Sequence, residues 1–498
     1  MIQNTLHPSD ISDELLAAYE TVIGLEVHCQ LLTDSKLFAR DYNLFGAEPN
    51  TNIGPLTLAL PGTLPKINKK AVEYAVRLGL ACGCSISPKT IFDRKNYFYP
   101  DLPKGYQISQ DKKPICENGG VTISIKDAAG QNVEKIIRFH HIHLEEDAGK
   151  SVHDGSYTET LLDYNRAGTP LVEMVSEPDL RSAEETGAFV TEIRRLVRYL
   201  QISDGNMEEG SLRCDVNVSV RKRGAAEYGT KVEIKNMNSI RNMMRAIGFE
   251  ERRQVALLEK GETVQQETRM FDVESGQTYG MRVKETMNDY RYFPDPDLSP
   301  VVVSDEWLAS IKSAMPALPH ELREKFVTDY GIPVYDAMVL TDTRELAEYF
   351  EDVCSKTSSY KAASNWLMGP VKSFLNDHGG DIAAFPVSAQ NLAALIELNE
   401  SGIVSHSVAS QKIFPVLVAE PERTPTEIAT SNNWIQNSNT NELESLVDEV
   451  INAMQDKVAA YKKGKKGLIG LFVGEVMKKS NNTADPKVVN QLLAKKLN

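Results

Sequence analysis

Alternation of apolar and polar positions dominates the first three hundred residues. The segments "GGVTISIKDAAG" (119–130) and "RCDVNVSVRKR" (213–223) alternate with period two, which predicts half-buried strands. By contrast, "SAEETGAFVTEIRRLVRYL" (182–200) repeats its apolar residues at helical spacing, and Ser182 with Glu185 forms a capping box at its start. A second helix is predicted over about 239–259. The region therefore combines strands with two helices.

After "RYFPDPDLSP" the pattern becomes helical. Short amphipathic helices are predicted up to about residue 410, and a further helical part from about 425. Within it, "NELESLVDEVINAMQDKVAAYKKG" predicts one long helix that ends at Gly464. The expected protein is α+β, with domains over 1–303, 304–415 and 425–498.

Composition and charge narrow the protein class. Of 498 residues, 41% are hydrophobic and 25% charged, which is typical of a globular protein. No apolar run approaches the roughly 18 residues of a membrane span, so no membrane partner is expected. The acidic N-terminal stretch does not resemble a signal peptide. Six sparse cysteines favour reduced thiols in a cytoplasmic protein.

The net charge of −14 argues against broad, non-specific binding of polyanions. Lysines nevertheless concentrate at the C-terminal end, where the residues from Gln455 onward include ten Lys but only three acidic residues. The segment "YKKGKKG" holds four of them. Such basic helical ends can dock a partner, or they can be solvated helices, and the charge pattern leaves both open.

The segment "TVIGLEVHCQ" (21–30) predicts a strand on which Glu26 and His28 share one face. That face can simply be solvated. Alternatively, it can form a metal or proton-transfer site, because carboxylate and imidazole groups serve both purposes. The pair alone does not decide between the two.

Further carboxylates occur in strand-like segments. Glu173 lies inside the apolar run "LVEMV", where an unpaired carboxylate is costly. Several strands that each present acidic side chains suggest that these side chains line one cavity. Mg²⁺ or Mn²⁺ would relieve the repulsion among the carboxylates, as in enzymes that use ATP. Scattered surface acids are the alternative. The other polar residues in these segments are Glu145, Glu146, Asp147, Glu208, Glu209, Arg213, Asp215 and Asn217.

Cations and aromatics alternate in "FDRKNYFYPDLPKGYQISQ" (92–110). Lys95 can contact phosphate, and Tyr97 and Tyr99 can stack on a base. A tyrosine-rich loop that packs on the core is an equal alternative. The sequence contains neither of the common glycine-rich nucleotide loops and no G-x-S-x-G motif.

Several long motifs resemble the B subunits of the aspartyl/glutamyl-tRNA amidotransferases, the GatB family. The resemblance runs from about residue 20 to the C-terminal end. Its motifs are "IGLEVHCQL", "FGAEPNTN", "LPGTLPKINKKAVEYA", "FDRKNYFYPDLPKGYQISQ", "HLEEDAGKS", "YNRAGTPLVEMVSEPDLRS", "MEEGSLRCDVNVS", "KNMNSIRNMMRAI", "DYRYFPDPDLSP" and "LFVGEVMKKS…DPKVVNQLLAKKL".

The resemblance implies an enzyme component that uses ATP and Mg²⁺ to phosphorylate the side-chain carboxylate of Glu-tRNA(Gln) or Asp-tRNA(Asn). Ammonia from an amidase-type A subunit then displaces the phosphate, and a small C subunit makes up the heterotrimer. The resemblance implies three domains: a mostly antiparallel, glutamine-synthetase-like cradle domain, an all-α helical domain and an all-α YqeY-like tail. The last two domains are expected to bind the tRNA.

The resemblance also implies site residues. The family's metal site matches Glu26, His28, Glu146 and Glu173, which are expected to bind Mg²⁺. No zinc is expected, because the four cysteine positions of many relatives hold Ala39, Asp41, Gly54 and Thr57. The strand argument adds the catalytic candidates Glu208, Glu209 and Asp215 and the ATP- or substrate-binding candidates Arg213 and Asn217. The alternation of cations and aromatics adds Lys95, Tyr97 and Tyr99 as ATP- or substrate-binding candidates.

Two other functions compete with this one. The chain can be a tRNA-docking protein without chemistry of its own, although Glu173 inside an apolar run argues against that. It can also be an ATP-dependent ligase for a free small acid, although the extra helical domains and basic tail argue against that.

Overall fold

The structure is a computed structural model, which describes residues 7–127, 129–152, 159–283, 290–436, 440–480 and 484–497. The chain divides into two units, Met1–Pro316 and Ala317–Asn498. The strands lie in the first unit, and the described residues of the second form helices and their connections. The predicted α+β class is therefore confirmed.

The strands have the following bounds: β1 Tyr19–Gln30, β2 Ser85–Ile86, β3 Lys89–Thr90, β4 Asp93–Asn96, β5 Tyr106–Ser109, β6 Cys116–Glu117, β7 Gly120–Lys126, β8 Asn132–Glu146, β9 Lys150–Val152, β10 Leu161–Asp163, β11 Pro170–Ser176, β12 Leu212–Lys222, β13 Val232–Met237, β14 Glu267–Asp272, β15 Gln277–Val283, β16 Phe293–Pro294 and β17 Val301–Val302.

None of the described helices is both long and apolar enough to cross a membrane. The α-helices have the following bounds: α1 Asp13–Ala17, α2 Lys69–Ala81, α3 Ala183–Tyr199, α4 Ile240–Glu259, α5 Asp305–Ser313, α6 Pro319–Thr328, α7 Val334–Leu340, α8 Arg344–Cys354, α9 Tyr360–Trp366, α10 Lys372–Asp377, α11 Ala389–Glu400, α12 His406–Val408, α13 Phe414–Ala419, α14 Pro425–Ser431, α15 Thr440–Ala453, α16 Gln455–Lys462, α17 Ile469–Lys479 and α18 Pro486–Leu497. Short 3-10 or π segments cover Pro8–Asp10, Leu367–Val371, Ile382–Ala384, Ala409–Ile413 and Lys466–Leu468.

The main sheet has the strand order β15-β14-β13-β12-β1-β11-β8-β6-β2, and β7 pairs with β8. Its neighbours are antiparallel apart from the parallel pair β13 and β14. Strand β1 lies between β11 and β12 and pairs with β12 along most of its length. Side chains on β1 are therefore flanked by both neighbours.

The two faces of the sheet have different environments. Ile23, Leu25 and Val27 on β1 are buried. On β8, the Phe139 ring packs against that of Phe189 of α3, with ring centroids 5.9 Å apart. Because side chains alternate along a strand, the intervening residues of β1 project to the other face. They are half-buried and remain available for chemistry.

One helix prediction in the second unit is wrong. The predicted long helix is two helices, α15 and α16, because Met454 leaves the helical conformation with φ −124° and ψ 41°. Both helices contribute to one apolar cluster, in which Leu443, Val447 and Tyr461 are buried. Tertiary packing thus interrupts a segment that the sequence pattern predicts as one continuous helix.

The first unit extends beyond its last strand. Helix α5 belongs to the first unit by its contacts, and Lys69 of α2 places its ammonium 5.0 Å from the ring centroid of Trp307 of α5. The division into domains 1–303, 304–415 and 425–498 stays a prediction.

Replacing Phe189 with alanine should lower the free energy of unfolding by about 3–5 kcal/mol, because a large cavity opens between α3 and the sheet. The matched control is Phe98→Ala, since Phe98 is 82% exposed. It should change the free energy by less than about 0.5 kcal/mol. Chemical denaturation measures both. Equal effects would contradict the assigned packing.

Candidate functional site

Polar side chains from four neighbouring strands meet on the open face of the sheet. On β1, Glu26 lies opposite Asp215 of β12, and His28 lies opposite both Glu173 of β11 and Arg213 of β12. Glu173 in turn lies opposite a histidine of β8. Directly opposed residues of antiparallel strands are close neighbours. The register therefore brings the predicted residues of three separate motifs together.

Two histidines and two carboxylates form what we call the first cluster: His28, His143, Glu145 and Glu173. Nε2 of His28 lies 3.3 Å from Oε2 of Glu173 and 3.7 Å from Oε1 of Glu145. Nε2 of His143 lies 3.3 Å from Oε2 of Glu173 and 3.6 Å from Oε2 of Glu145. One possible ligand atom from each of His28, Glu145 and Glu173 lies within 4.8 Å of the other two, which is close enough for the three to share a metal ion.

The electrostatics of this cluster follow from close opposite charges. Burial acts to lower the pKa of both imidazoles, but Glu173 and Glu145 overcome it and raise that of His28 to about 9 and that of His143 to about 10. Burial acts to raise the pKa of Glu173, but the two imidazoles hold it well below its ordinary value. The cluster therefore needs positive charge, which protons or a metal ion can supply.

A second acidic cluster lies beside the first and consists of Glu26, Asp215 and Glu233. Nζ of Lys235 lies 3.0 Å from Oδ2 of Asp215 and 3.2 Å from Oε1 of Glu233. Burial, together with the charges of Glu173 and Asp215, raises the pKa of Glu26. Three carboxylates without imidazole form an oxygen-only donor set, which suits Mg²⁺ or Mn²⁺.

Glu146, a predicted metal ligand, lies away from both clusters. It projects to the other side of β8, where it pairs with Lys104 and accepts a hydrogen bond of 3.0 Å from the Ile108 N–H. With Lys36 and Gly168 it lines a small cleft. The neighbouring Glu145 occupies the place beside His28 that the sequence prediction gave to Glu146.

Arg213 and Asn217, which are predicted to bind ATP or substrate, contact acidic side chains. Arg213 donates to Oδ2 of Asp147 at 2.8 Å, and Gln30 donates to the same oxygen at 2.9 Å. Asn217 donates to Oε1 of Glu26 at 3.2 Å. Both residues thus orient carboxylates at the site.

Lys95 lies near the first cluster, and aromatic rings surround its ammonium. Its ammonium is 5.0 Å from the ring centroid of Tyr290 and 5.9 Å from that of Tyr97. Burial acts to lower its pKa, but Glu145 and other neighbours raise it. Tyr97 packs edge-on against Tyr99, which is 56% exposed. The ammonium is therefore a cation available to an anionic ligand.

Two predicted catalytic residues lie elsewhere. Glu208 and Glu209 are exposed at the turn before β12, where their backbone N–H groups donate to Oδ1 of Asn206 at 3.0 and 3.3 Å. Among the described contacts, neither carboxylate reaches a cluster.

Asp41 and Thr57, two of the four positions considered for zinc, contact each other. Thr57 donates to Asp41, and Nζ of Lys36 lies 3.5 Å from the Thr57 hydroxyl. Burial lowers the pKa of Lys36 to about 8. The expectation that no zinc is bound stays a prediction.

Sequence reasoning missed His143, Glu233 and Lys235 and did not place Glu145 beside His28. A signal was present in the alternation. His143 with Glu145, and Glu233 with Lys235, are two positions apart, as Glu26 and His28 are on β1. Each pair therefore shares a strand face. Only the strand pairing shows that these faces coincide.

In a chelating buffer, the protein should lose stability as pH rises from about 7 to about 10. Protonated His28 and His143 stabilise the folded state, and this contribution is fully present below the ordinary histidine pKa of about 6.5. It is lost as pH passes their raised pKa values of about 9 and about 10. Glu173→Gln should reduce this loss, as denaturant midpoints across that range would measure.

The control for that pH experiment is Glu192→Gln. Glu192 pairs with Arg195 within α3, away from the cluster. Its pH dependence should match that of the wild type. If the denaturant midpoint changed with pH in the same way in the wild type, Glu173→Gln and Glu192→Gln, the assigned ion pairs would be contradicted.

Comparison with known proteins gives consistent matches. The model of the GatB/GatE catalytic domain matches residues 21–309, and that of the GatB domain matches 348–497. A Chlorobium luteolum protein, named as the B subunit of an aspartyl/glutamyl-tRNA(Asn/Gln) amidotransferase, is 51% identical over 96% of this chain and 99% of its own. A protein of the same name from Thermosynechococcus vestitus is 49% identical over 98% of both chains. These matches confirm the resemblance inferred from the motifs.

Proposed function

The chain belongs to the GatB family, and from that premise we propose that it is the B subunit of a glutamine-dependent amidotransferase acting on Glu-tRNA(Gln), Asp-tRNA(Asn) or both. It phosphorylates the side-chain carboxylate of the attached amino acid with ATP, and ammonia then displaces phosphate to leave an amide. The observation that carries this proposal is the adjacency of two acidic clusters on one sheet face.

Activation brings together two anions, the substrate carboxylate and the γ-phosphate, and the site must offset their repulsion. His28, Glu145 and Glu173 would hold one Mg²⁺, and the second acidic cluster another. Bound Mg²⁺ would neutralise phosphate charge and orient the phosphate for in-line transfer. Lys95 supplies a further cation for a phosphate oxygen, because its ammonium is close enough to Glu145 and Glu173 for their charges to raise its pKa.

Ammonia must come from a partner, because the sequence lacks a recognisable nucleophile motif for glutamine hydrolysis. The proposed partners are therefore an amidase-type A subunit, which releases ammonia, and a small C subunit, which together with this chain form a heterotrimer. The proposed location is the cytoplasm. All six cysteines are free and buried, which suits a reducing compartment.

Glu173→Gln should lower the rate of substrate activation at least about 100-fold, because one carboxylate of the first cluster loses its charge. The measurement is ATP cleavage and acyl-phosphate trapping in the heterotrimer with Glu-tRNA(Gln) but without an ammonia source. Glu192→Gln is the matched control and should retain the wild-type rate. Equal activation in all three proteins, with tRNA binding intact, would move the chemistry away from this sheet.

Charge reversal at Lys463 and Lys465 should raise the KM for the aminoacyl-tRNA about tenfold and reduce the salt dependence of binding. Both side chains are exposed. The control reverses Lys112 and Lys113, which are exposed in the first unit. An unchanged KM would argue against tRNA binding through the tail. Activity on free glutamate in either protein would favour the ligase alternative.

A further inference from the structure

Lys95, the proposed phosphate contact, lies on the central strand of a small sheet with the order β16-β4-β5. Because side chains alternate along a strand, Arg94 and Asn96 project to the side opposite Lys95. The Lys95 side chain is long and flexible, so the place of its ammonium depends on how firmly β4 is held. The two neighbours of β4 hold it in different ways.

Strand β5 connects β4 to the main sheet. The Gln107 amide of β5 donates to the backbone carbonyl of Glu146 at 2.8 Å, and the Ile108 N–H donates to the carboxylate of the same residue at 3.0 Å. Glu146 follows Glu145 of the first cluster on β8. This side of β4 is therefore tied to a strand that carries the candidate site.

On its other side, β4 contacts residues 290–297, which we call the strap. The strand within the strap, β16, is two residues long, and its Pro294 has no N–H to donate. Arg94 adds two ion pairs: its Nε lies 2.8 Å from Oδ2 of Asp295, and its Nη2 lies 2.8 Å from Oδ2 of Asp297. The Asp295 side chain is fully buried, and charge-assisted hydrogen bonds of this kind are strong.

The strap also supplies part of the surroundings of the Lys95 ammonium. Asn96 donates to the Tyr290 carbonyl from its backbone N–H at 3.0 Å and from its side-chain amide at 3.1 Å. The Tyr290 ring centroid lies 5.0 Å from the Lys95 ammonium. The same ring packs edge-on against Tyr97 and Tyr292, with ring centroids 6.0 Å apart in both pairs. Contacts on the far side of β4 thus hold a ring that borders the ammonium.

We propose that Arg94 is a positioning residue that, by tying β4 to the strap, fixes the Lys95 ammonium near the first cluster during activation of the substrate carboxylate. The inference rests on the proposed function, in which Lys95 contacts a phosphate oxygen. The guanidinium is a rigid fork, so its two ion pairs hold β4 in one place against the strap. Because Lys95 is the next residue of β4, a shift of Arg94 moves the ammonium. A misplacement of about 1 Å can cost about 100-fold in rate.

Substrate activation in the heterotrimer tests this role, with Glu-tRNA(Gln) and ATP present and no ammonia source. Arg94→Met should lower kcat at least about tenfold and leave the KM for the aminoacyl-tRNA unchanged, because only the position of the ammonium changes. Arg94→Lys should not restore kcat, since a single ammonium cannot reproduce the two ion pairs of the guanidinium. ATP cleavage and trapping of the acyl phosphate measure the rate.

A double variant separates positioning from general support of the fold. Lys95→Met should lower kcat at least about tenfold. The protein that carries both Arg94→Met and Lys95→Met should be as slow as Lys95→Met alone, because Arg94 acts through Lys95. Losses that multiply in the double variant would overturn the positioning role. A wild-type kcat in folded Arg94→Met or Arg94→Lys would overturn it too.

Arg221→Met is the matched control, since the side chains of Arg94 and Arg221 are 18% and 17% exposed. Arg221 likewise joins an ion pair and an aromatic contact. It donates to Glu20 at 2.7 Å, and its guanidinium lies 5.0 Å from the ring centroid of Tyr228. Arg221→Met should therefore keep the wild-type kcat, and a loss equal to that of Arg94→Met would contradict a specific role of Arg94.

Asp297→Asn serves if Arg94→Met does not fold. It removes one of the two ion pairs at an exposed residue and should lower kcat at least about threefold. An unchanged kcat there would overturn the inference. A wild-type kcat in Lys95→Met, with activation lost in Glu173→Gln, would overturn the roles of Lys95 and Arg94 and leave the acidic site in place. Wild-type activation in Glu173→Gln as well would overturn the proposed function.

Discussion

Repulsion among carboxylates on one face of the sheet is the constraint on which the candidate site depends. Glu26, Glu145, Glu173, Asp215 and Glu233 approach one another because their strands are paired, and like charges so close are unfavourable. The chain offsets the repulsion with cations of its own from β8, β1 and β13. In the proposed function, the same negative charge would attract divalent cations.

Holding these acids in place requires rigid support from the buried side. Glu250 of α4 is fully buried and pairs with Arg253 at 2.7 Å. It also accepts a hydrogen bond of 3.0 Å from Thr278 of β15, and Arg269 of β14 donates to the same Thr278. This network ties helix α4 to the hairpin that carries Thr268. These ion pairs and hydrogen bonds offset the cost of burying the charge of Glu250, and the network supports the outer edge of the second acidic cluster.

Local pattern was sufficient for many elements. Strands β7 and β12 and helices α3 and α4 follow directly from periods of 2 and 3.6, since each element must bury one face. Pattern was insufficient where packing overrides it. The predicted long tail helix breaks at Met454 so that α16 can bring Tyr461 to the apolar cluster. Helical propensity on both sides of that residue gives no sign of the break.

The sequence by itself determined the family, the strand that carries Glu26 and His28, and the expectation of an acidic, cation-dependent site, because these follow from motif identity and side-chain alternation. Only the tertiary structure decided which acids meet. Glu145 and Glu146 are adjacent in sequence, but they project to opposite sides of β8, so one joins His28 and the other Lys104. Glu233 and Lys235 enter the site because β13 pairs with β12. Strand register is a non-local property, and the local pattern of a single sequence does not show which residues of distant strands lie opposite each other.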